Sequence, residues 1–226
     1  LLMGYMEGTI TAIKAQKRNP NRVSIELDGE YAFGVSRIVG AWLKIGDHLT
    51  QEKITTLLEK DANEVVFQRA LTLINHRPRT EHEIRQKLIE KGYTTAQIDL
   101  TVEKLRESNL VQDATFARMW VENRNQLHPR SRRLISYELR RKGIANELID
   151  AALQDSEEDS ELAFQAANQY ARRLAGLDWS AFRKKLAAFL ARRGFDYGTI
   201  NLTVSRIWKE MNLEGLESGK KEECEK

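Results

Sequence analysis

The chain has 226 residues, of which 41% are hydrophobic and 31% are charged, with a net charge of only +3. This length is enough for one large or two small hydrophobic cores, and no apolar run approaches the roughly 20 residues of a membrane span or forms the core of a signal peptide. The single cysteine, Cys224, excludes a disulfide framework, which favours the reducing cytoplasm. Because no apolar run is long enough, we also expect no membrane contact.

The first 55 residues alternate apolar and polar side chains, which predicts short strands. Asp28-Gly29, within RVSIELDGEYAFGVS (22–36), is typical of a hairpin turn. A plain two-residue turn would place the apolar residues of the two strands on opposite faces. We therefore predict a three-residue loop or a bulge that brings six side chains to one face, namely Val23, Ile25, Leu27, Tyr31, Phe33 and Val35.

Residues 61–211 contain an internal repeat with a period of 51 residues. Three glycines mark the period, Gly92, Gly143 and Gly194. Five apolar columns keep the same spacing from these glycines. The columns are Ile84, Leu88, Tyr93, Ile98 and Val102 in the first copy, Ile135, Leu139, Ile144, Ile149 and Leu153 in the second, and Leu186, Leu190, Phe195, Ile200 and Val204 in the third.

Each copy has the pattern of three helices. Spacings of four residues place the apolar columns on one helical face, and the glycine after them can adopt the left-handed conformation that ends a helix. An apolar helix precedes each pair, in EVVFQRALTLIN (64–75), TFARMWVENRNQ (115–126) and AANQYARRLAGL (166–177). Helix caps are predicted at Thr80, Thr94, Asp113, Ser131, Asn146 and Asp196.

The predicted fold is therefore mainly α, with tandem three-helix repeats behind a small N-terminal antiparallel β segment. The repeats depend on their neighbours for burial. The boundaries are a β-rich segment at 1–55, repeats at 61–111, 112–162 and 163–211, and a disordered tail at 212–226.

Motifs of catalysis and metal binding are absent from the sequence. No two histidines have the i, i+4 spacing of a helical metal site, and there is no glycine-rich phosphate loop or serine nucleophile motif. The histidines are scattered at His48, His76, His82 and His128. We predict no catalytic residue, no metal, no cofactor and no small-molecule substrate.

Basic residues cluster at both ends of the same helix in the second and third repeats. Residues 163–211 carry nine Lys and Arg against three Asp and Glu, which favours a polyanion or an acidic protein surface as partner. Positive charge at a helix N-terminus opposes the helix dipole, so helix stability does not explain it. The predicted binding residues are Arg130, Arg132, Arg133, Arg140, Arg141, Lys142, Arg183, Lys184, Lys185, Arg192 and Arg193.

Two alternatives remain open at these clusters. The arginines could simply solubilise exposed helix faces. The acidic stretch 155–161 could form a hinge between repeats two and three, or it could complement basic residues of the partner. If the arginines bind a partner, reversal of four of them to Glu should leave folding nearly unchanged, and we choose Arg132, Arg133, Arg140 and Arg141.

Three stretches resemble the RecX family of bacterial RecA regulators: RPRTEHEIRQKLIEKGY, NLVQDATFARMWVENR and HPRSRRLISYELRRKGI. The resemblance covers about residues 61–211. It implies a non-catalytic regulator of recombination, DNA repair and the SOS response, which binds RecA–single-stranded DNA filaments and inhibits or reverses filament growth, ATP hydrolysis and strand exchange. The eleven basic residues would contact the filament, and Trp120, Phe116, Leu139 and Gly143 would serve packing.

The resemblance leaves open which arginines contact RecA and which contact single-stranded DNA. A helical-repeat protein that binds DNA without RecA specificity is the first alternative function, because helix pairs with basic ends also suit DNA. A helical scaffold for another protein is the second. A monomer is expected in each case.

Overall fold

The chain folds into two compact units, Leu1–Val111 and Gln112–Lys226. The structure is a computed structural model that describes residues 7–154 and 156–223. The N-terminal unit contains β1 (Gly8–Gln16), β2 (Asn19–Leu27), β3 (Glu30–Ser36), α1 (Arg37–Gly40), β4 (His48–Leu49), α2 (Gln51–His76), α3 (Glu81–Ile89) and α4 (Thr95–Glu107). The C-terminal unit contains α5 (Asp113–Leu127), α6 (Arg132–Arg141), α7 (Asn146–Gln154), α8 (Asp159–Ala171), a 3-10 turn (Arg172–Leu174), α9 (Trp179–Arg192) and α10 (Tyr197–Glu223). This architecture confirms the mainly α prediction.

The antiparallel sheet has the strand order β3-β2-β1-β4. Alternate side chains of its strands point to the same face, which is the face buried against α2. The resulting core contains Ile10, Ile25, Leu27, Phe33, Val35, Leu49 and Ile54.

The hairpin between β2 and β3 has a two-residue turn at Asp28-Gly29 and the predicted bulge, which lies at Ala32. The extra residue shifts the strand so that Phe33 pairs with Ile25 and is buried. Tyr31 lies between the turn and the bulge and is 65% exposed. The prediction that six apolar side chains share one face is therefore wrong for Tyr31.

A single helix, α2, serves both the sheet and the first repeat, across the boundary predicted at residues 55–61. Ile54 belongs to the core of the sheet, whereas Val66 belongs to the core of the first repeat. Between them, Asp61 accepts a hydrogen bond from Arg22 of β2 at 2.7 Å and one from the last backbone N–H of β3 at 2.5 Å. These polar bonds fix the middle of α2 to the sheet.

In each repeat the second helix ends at the predicted glycine. The φ angle is +82° at Gly92, +79° at Gly143 and +88° at Gly194, in the left-handed region that glycine adopts without strain. The backbone N–H of the residue that follows each glycine donates to the carbonyl of the residue four positions before the glycine, and this bond closes the helix. These bonds run from Tyr93 to Leu88, from Ile144 to Leu139 and from Phe195 to Leu190.

Most of the predicted caps are present. The side chains of Thr80, Thr94, Ser131 and Asp196 accept a hydrogen bond from the backbone N–H three residues later. Asp113 and Asn146 instead are the first residues of α5 and α7, so these helices begin one residue earlier than the predicted caps imply. The five apolar columns are buried in all three repeats, apart from the half-buried Tyr93.

The third repeat differs from the prediction at both ends. Its first helix, α8, begins before the predicted residue 166 and passes into the 3-10 turn. At its other end, α10 continues to Glu223, where the sequence predicted a disordered tail from residue 212. Residues 1–6 and Cys224 lie outside the described residues.

Candidate functional site

The eleven basic residues predicted to form a binding surface fall into two groups. Four are half-buried inside the C-terminal unit, namely Arg130, Arg132, Lys142 and Arg193. Seven are exposed, namely Arg133, Arg140, Arg141, Arg183, Lys184, Lys185 and Arg192. Members of both groups occur in each of the two repeats, so the surroundings of each side chain decide what it can bind.

Arg193 joins the third repeat to the second. The N–H of Ser131 donates to the carbonyl of Arg193 at 3.0 Å, and the Arg193 guanidinium donates to the carbonyl of Pro129 at 2.9 Å. The same guanidinium lies 4.4 Å from the centre of the Phe189 ring. Burial, and then the positive charge of Arg130, lowers the pKa of Arg193. Its contacts are therefore internal.

Arg130 belongs to a polar cluster around Glu138. This carboxylate pairs with Arg130 and accepts hydrogen bonds from Arg124 at 2.9 Å and from the Trp120 indole N–H at 2.8 Å. Burial lowers the pKa of both guanidinium groups. Lys142 lies 4.5 Å from the centre of the Trp120 ring. Trp120 is consequently held between the core and this cluster, in the packing role that was predicted.

Arg132, the first residue of α6, is held by the start of the third repeat. Its N–H donates to Asp159 Oδ1 at 2.8 Å, and its guanidinium donates to the carbonyl of Leu153 at 2.5 Å and to Glu158 Oε1 at 3.0 Å. The acidic stretch thus supplies two carboxylates to α6. Reversal of Arg132 to Glu would oppose like charges here, so Arg132 does not belong in the fourfold reversal.

The exposed side of α6 carries three arginines around a tyrosine. Tyr137 lies four residues from Arg133 and three and four residues from Arg140 and Arg141, and these four residues form the exposed side of the helix, called the α6 face below. The Tyr137 side chain is 55% exposed, with the Arg141 guanidinium 5.9 Å from its ring centre. Arg140 donates to Asn146 Oδ1 at 2.9 Å, and Arg133 donates to the Gly194 carbonyl at 3.3 Å. None of the three arginines has a carboxylate partner among the described residues.

The other four exposed cations lie on α9, at Arg183, Lys184, Lys185 and Arg192. They form no ion pair within the part of the chain that the structure describes. In the first repeat most cations are paired locally, and the exceptions among the described residues are Arg69, Arg79 and Lys91. Arg85 pairs with Asp99 at 2.5 Å, Lys87 pairs with Glu90 at 2.6 Å, and Arg106 pairs with Glu81 at 2.5 Å. Uncompensated positive charge is therefore more concentrated on α6 and α9 than in the first repeat.

A groove lies between α9 and the start of α10. Two of the predicted cations, Arg183 and Lys184, line it, together with two aromatic residues, Trp179 and Tyr197, which sequence reasoning missed. It missed Tyr137 as well, although an aromatic residue among the arginines of RRLISYELRR was a usable signal. No sequence signal marked Tyr197. It lies two residues after the buried Phe195, and the spacing of apolar residues does not show that its ring is exposed.

No cluster of three potential metal-ligating His, Cys, Asp or Glu side chains occurs among the described residues. Within the same residues, none of the helices combines the length and the apolar character needed to cross a bilayer.

Four family models match the chain in consecutive segments. They are the regulatory protein RecX N-terminal domain at residues 8–50 and the first, second and third three-helix domains of RecX at residues 67–105, 113–153 and 157–203. The three-helix models correspond to the three copies of the internal repeat.

Relatives match over most of their length. The regulatory protein RecX of Clostridium beijerinckii is 30% identical over 204 residues, which cover 88% of this chain and 95% of the relative. That of Clostridium botulinum strain Alaska E43 is 31% identical, over 91% of this chain and 97% of the relative. A crystal structure of regulatory protein RecX superimposes with a TM-score of 0.69 at 28% identity, covering 88% of this chain and 98% of that one.

Proposed function

The chain belongs to the RecX family of regulatory proteins, and on that premise we propose that it binds RecA–single-stranded DNA filaments and inhibits or reverses their growth. Slower ATP hydrolysis and strand exchange by RecA would follow from the loss of filament. Binding alone suffices for this activity, so the proposal needs no catalytic residue and no cofactor. We propose further that the protein acts as a monomer in the cytoplasm, where the filament forms.

The observation that supports this proposal best is the unpaired positive charge of the second and third repeats. Seven exposed cations on α6 and α9 have no carboxylate partner among the described residues, whereas five of the eight Lys and Arg side chains in residues 61–111 form ion pairs. A filament presents phosphates and protein carboxylates in a regular array, so several cations can bind at once and their contributions combine. Such binding weakens as salt screens the charges and competes for the phosphates.

RecA hydrolysis of ATP on single-stranded DNA tests the proposal. We expect the wild-type protein to slow hydrolysis at substoichiometric amounts. The variant Arg133→Glu/Arg140→Glu/Arg141→Glu, which reverses the α6 face and spares Arg132, should lose most of this inhibition while its thermal unfolding is nearly unchanged.

A matched control makes the same change in charge on α2 of the N-terminal unit, with Lys53→Glu/Lys60→Glu/Arg69→Glu. These three side chains are exposed, and the control should inhibit like the wild type. No inhibition by the wild-type protein at stoichiometric amounts would contradict the proposal. Equal loss in both triple variants would mean that net charge matters and the α6 face does not.

General DNA binding without RecA specificity is the second candidate, favoured by the basic and aromatic groove beside α9. Retention on bare DNA with no preference for RecA-coated strands would support it. A protein scaffold would instead keep its partner after reversal of the α6 face.

A further inference from the structure

We propose that the groove between α9 and α10 binds a segment of single-stranded nucleic acid, with a base stacked on Tyr197 and the backbone phosphates held by Arg183 and Lys184. The inference deepens the proposed function, on which it rests for its biological setting, because it assigns the DNA contact of the filament to one place.

The shape of the groove leaves room for a flat ligand. Its α9 wall includes four small side chains, and its volume of about 600 Å³ lies within the range of about 300–1,000 Å³ that is usual for ligand sites. The small side chains of this wall are Ser180, Ala187, Ala188 and Ala191.

Two aromatic rings border the groove. Tyr197, the first residue of α10, is 74% exposed, so its ring faces remain available for stacking. Trp179, the first residue of α9, is partly exposed and packs at 5.3 Å against Trp208, which in turn packs at 4.9 Å against the buried Phe182. One ring is thus backed by the core of the third repeat and the other projects into solvent.

The charge of the groove favours a phosphate backbone. Two of its lining residues are cations and none is a carboxylate. The nearest carboxylates in sequence are engaged as helix caps, Asp178 by the N–H of Ala181 at 3.0 Å and Asp196 by the N–H of Thr199 at 3.0 Å. The hydrogen bonds from Thr199 lower the pKa of Asp196 and direct its carboxylate at the start of its own helix.

An acidic peptide would also satisfy the two cations, but the rings favour nucleic acid. Every base has a π-face that stacks on an exposed aromatic ring, whatever the sequence of the strand. A peptide anchored by hydrophobic contact would accept an aliphatic side chain in place of Tyr197. The side-chain amide of Asn201, which also lines the groove, can donate to and accept from a base edge.

Binding of fluorescein-labelled oligo(dT) to the full-length protein tests this inference, with fluorescence anisotropy as the readout. We expect Tyr197→Phe to bind like the wild type and Tyr197→Leu to bind roughly tenfold more weakly. Arg183→Ala/Lys184→Ala should flatten the dependence of log Kd on log salt by about 1.4, because each single-strand phosphate contact contributes about 0.7. The control Tyr31→Leu removes an exposed tyrosine of the sheet and should change nothing.

Equal affinity of Tyr197→Leu and Tyr197→Phe for oligo(dT) would overturn the inference, as would binding of poly-glutamate that depends on Tyr197 to the same degree. Neither outcome would contradict the proposed inhibition of RecA, which is measured separately on the same variants. Conversely, oligo(dT) binding that requires the Tyr197 ring supports the groove even if the wild-type protein does not slow RecA, a result that would contradict the proposed function alone.

Discussion

Neighbouring arginines of α6 have different physical roles. Arg132 donates to the Leu153 carbonyl and to Glu158 and is half-buried, whereas Arg133 is exposed and donates one longer bond to the Gly194 carbonyl. A guanidinium that satisfies a carbonyl and a carboxylate of its own chain contributes to stability. One that meets mainly water is free to exchange that water for a partner.

We therefore expect Arg132→Ala and Arg133→Ala to separate stability from binding. Arg132→Ala should lower the free energy of unfolding by about 1–3 kcal/mol, since it removes the charged donor to the Leu153 carbonyl and the ion pair with Glu158, and leaves that carbonyl only the N–H of Ser156. Arg133→Ala should cost less than about 0.5 kcal/mol, as surface changes usually do. Urea unfolding measures both. Equal losses would contradict the division of the basic residues into two groups.

The three repeat glycines share a conformation but differ in their surroundings. A Cβ at Gly92 would meet no atom within 4 Å, whereas a Cβ at Gly194 would lie 2.6 Å from Ser131 Oγ and 2.7 Å from Leu134 Cβ. The close approach of Gly194 to α6 is part of the junction between the second and third repeats.

Alanine substitution should reveal this difference. Gly92→Ala should cost about 1–2 kcal/mol, from left-handed strain alone. Gly194→Ala adds overpacking against Leu134 and should cost roughly 2–5 kcal/mol in total. Circular dichroism during urea unfolding gives the two values. If Gly194→Ala proves no more harmful than Gly92→Ala, the junction is looser than the described contacts imply.

At the scale of the element, α6 divides a buried apolar side from a basic one. Ile135 and Leu139 are completely buried in the core of the second repeat, opposite the α6 face. A short helix of this kind is stabilised mainly by its packing rather than by intrinsic propensity. Its place in the fold therefore depends on a few apolar side chains.

Truncation of one of them tests this dependence. Leu139→Ala should destabilise the protein by about 2–5 kcal/mol, through lost burial and the cavity that remains. The control Leu202→Ala, at an exposed position of α10, should change the unfolding midpoint little. A small effect of Leu139→Ala would indicate that the second repeat does not rely on α6 for its core.

The elements that follow local rules were predictable from the sequence. Glycine stops, most caps and the buried columns depend on residues a few positions apart, and the three-copy register reinforced each of them. The bulge was predicted without its position, so Tyr31 was assigned to the wrong face. The attachment of α2 to the sheet uses the contact of Asp61 with Arg22, 39 residues apart, which no local pattern reveals.

The sequence predicted which segments of the candidate site are rich in basic residues, but not which of those side chains are exposed. The sequence showed where cations concentrate, yet Arg130, Arg132 and Arg193 find their partners through tertiary contacts with Glu138, Glu158 and the Pro129 carbonyl. Such pairings join helices whose relative placement periodicity does not determine. The exposure of Tyr197 was hidden for the same reason.

At the scale of the whole molecule, the chain combines a compact N-terminal unit, which contains the sheet and the first repeat, with a C-terminal unit formed by the other two repeats. The seven exposed cations of the predicted set all belong to the C-terminal unit, while most cations of the first repeat are paired within that repeat. This division predicts that the C-terminal unit makes the salt-sensitive contacts with a filament.

Co-sedimentation with RecA filaments assembled on single-stranded DNA tests this account most directly. The wild-type protein should pellet with the filaments, more than with the same DNA alone, and added salt should release it. The α6-face variant Arg133→Glu/Arg140→Glu/Arg141→Glu should remain folded and stay in the supernatant. If that variant pellets as the wild type does, the exposed arginines of α6 are not the filament-binding surface.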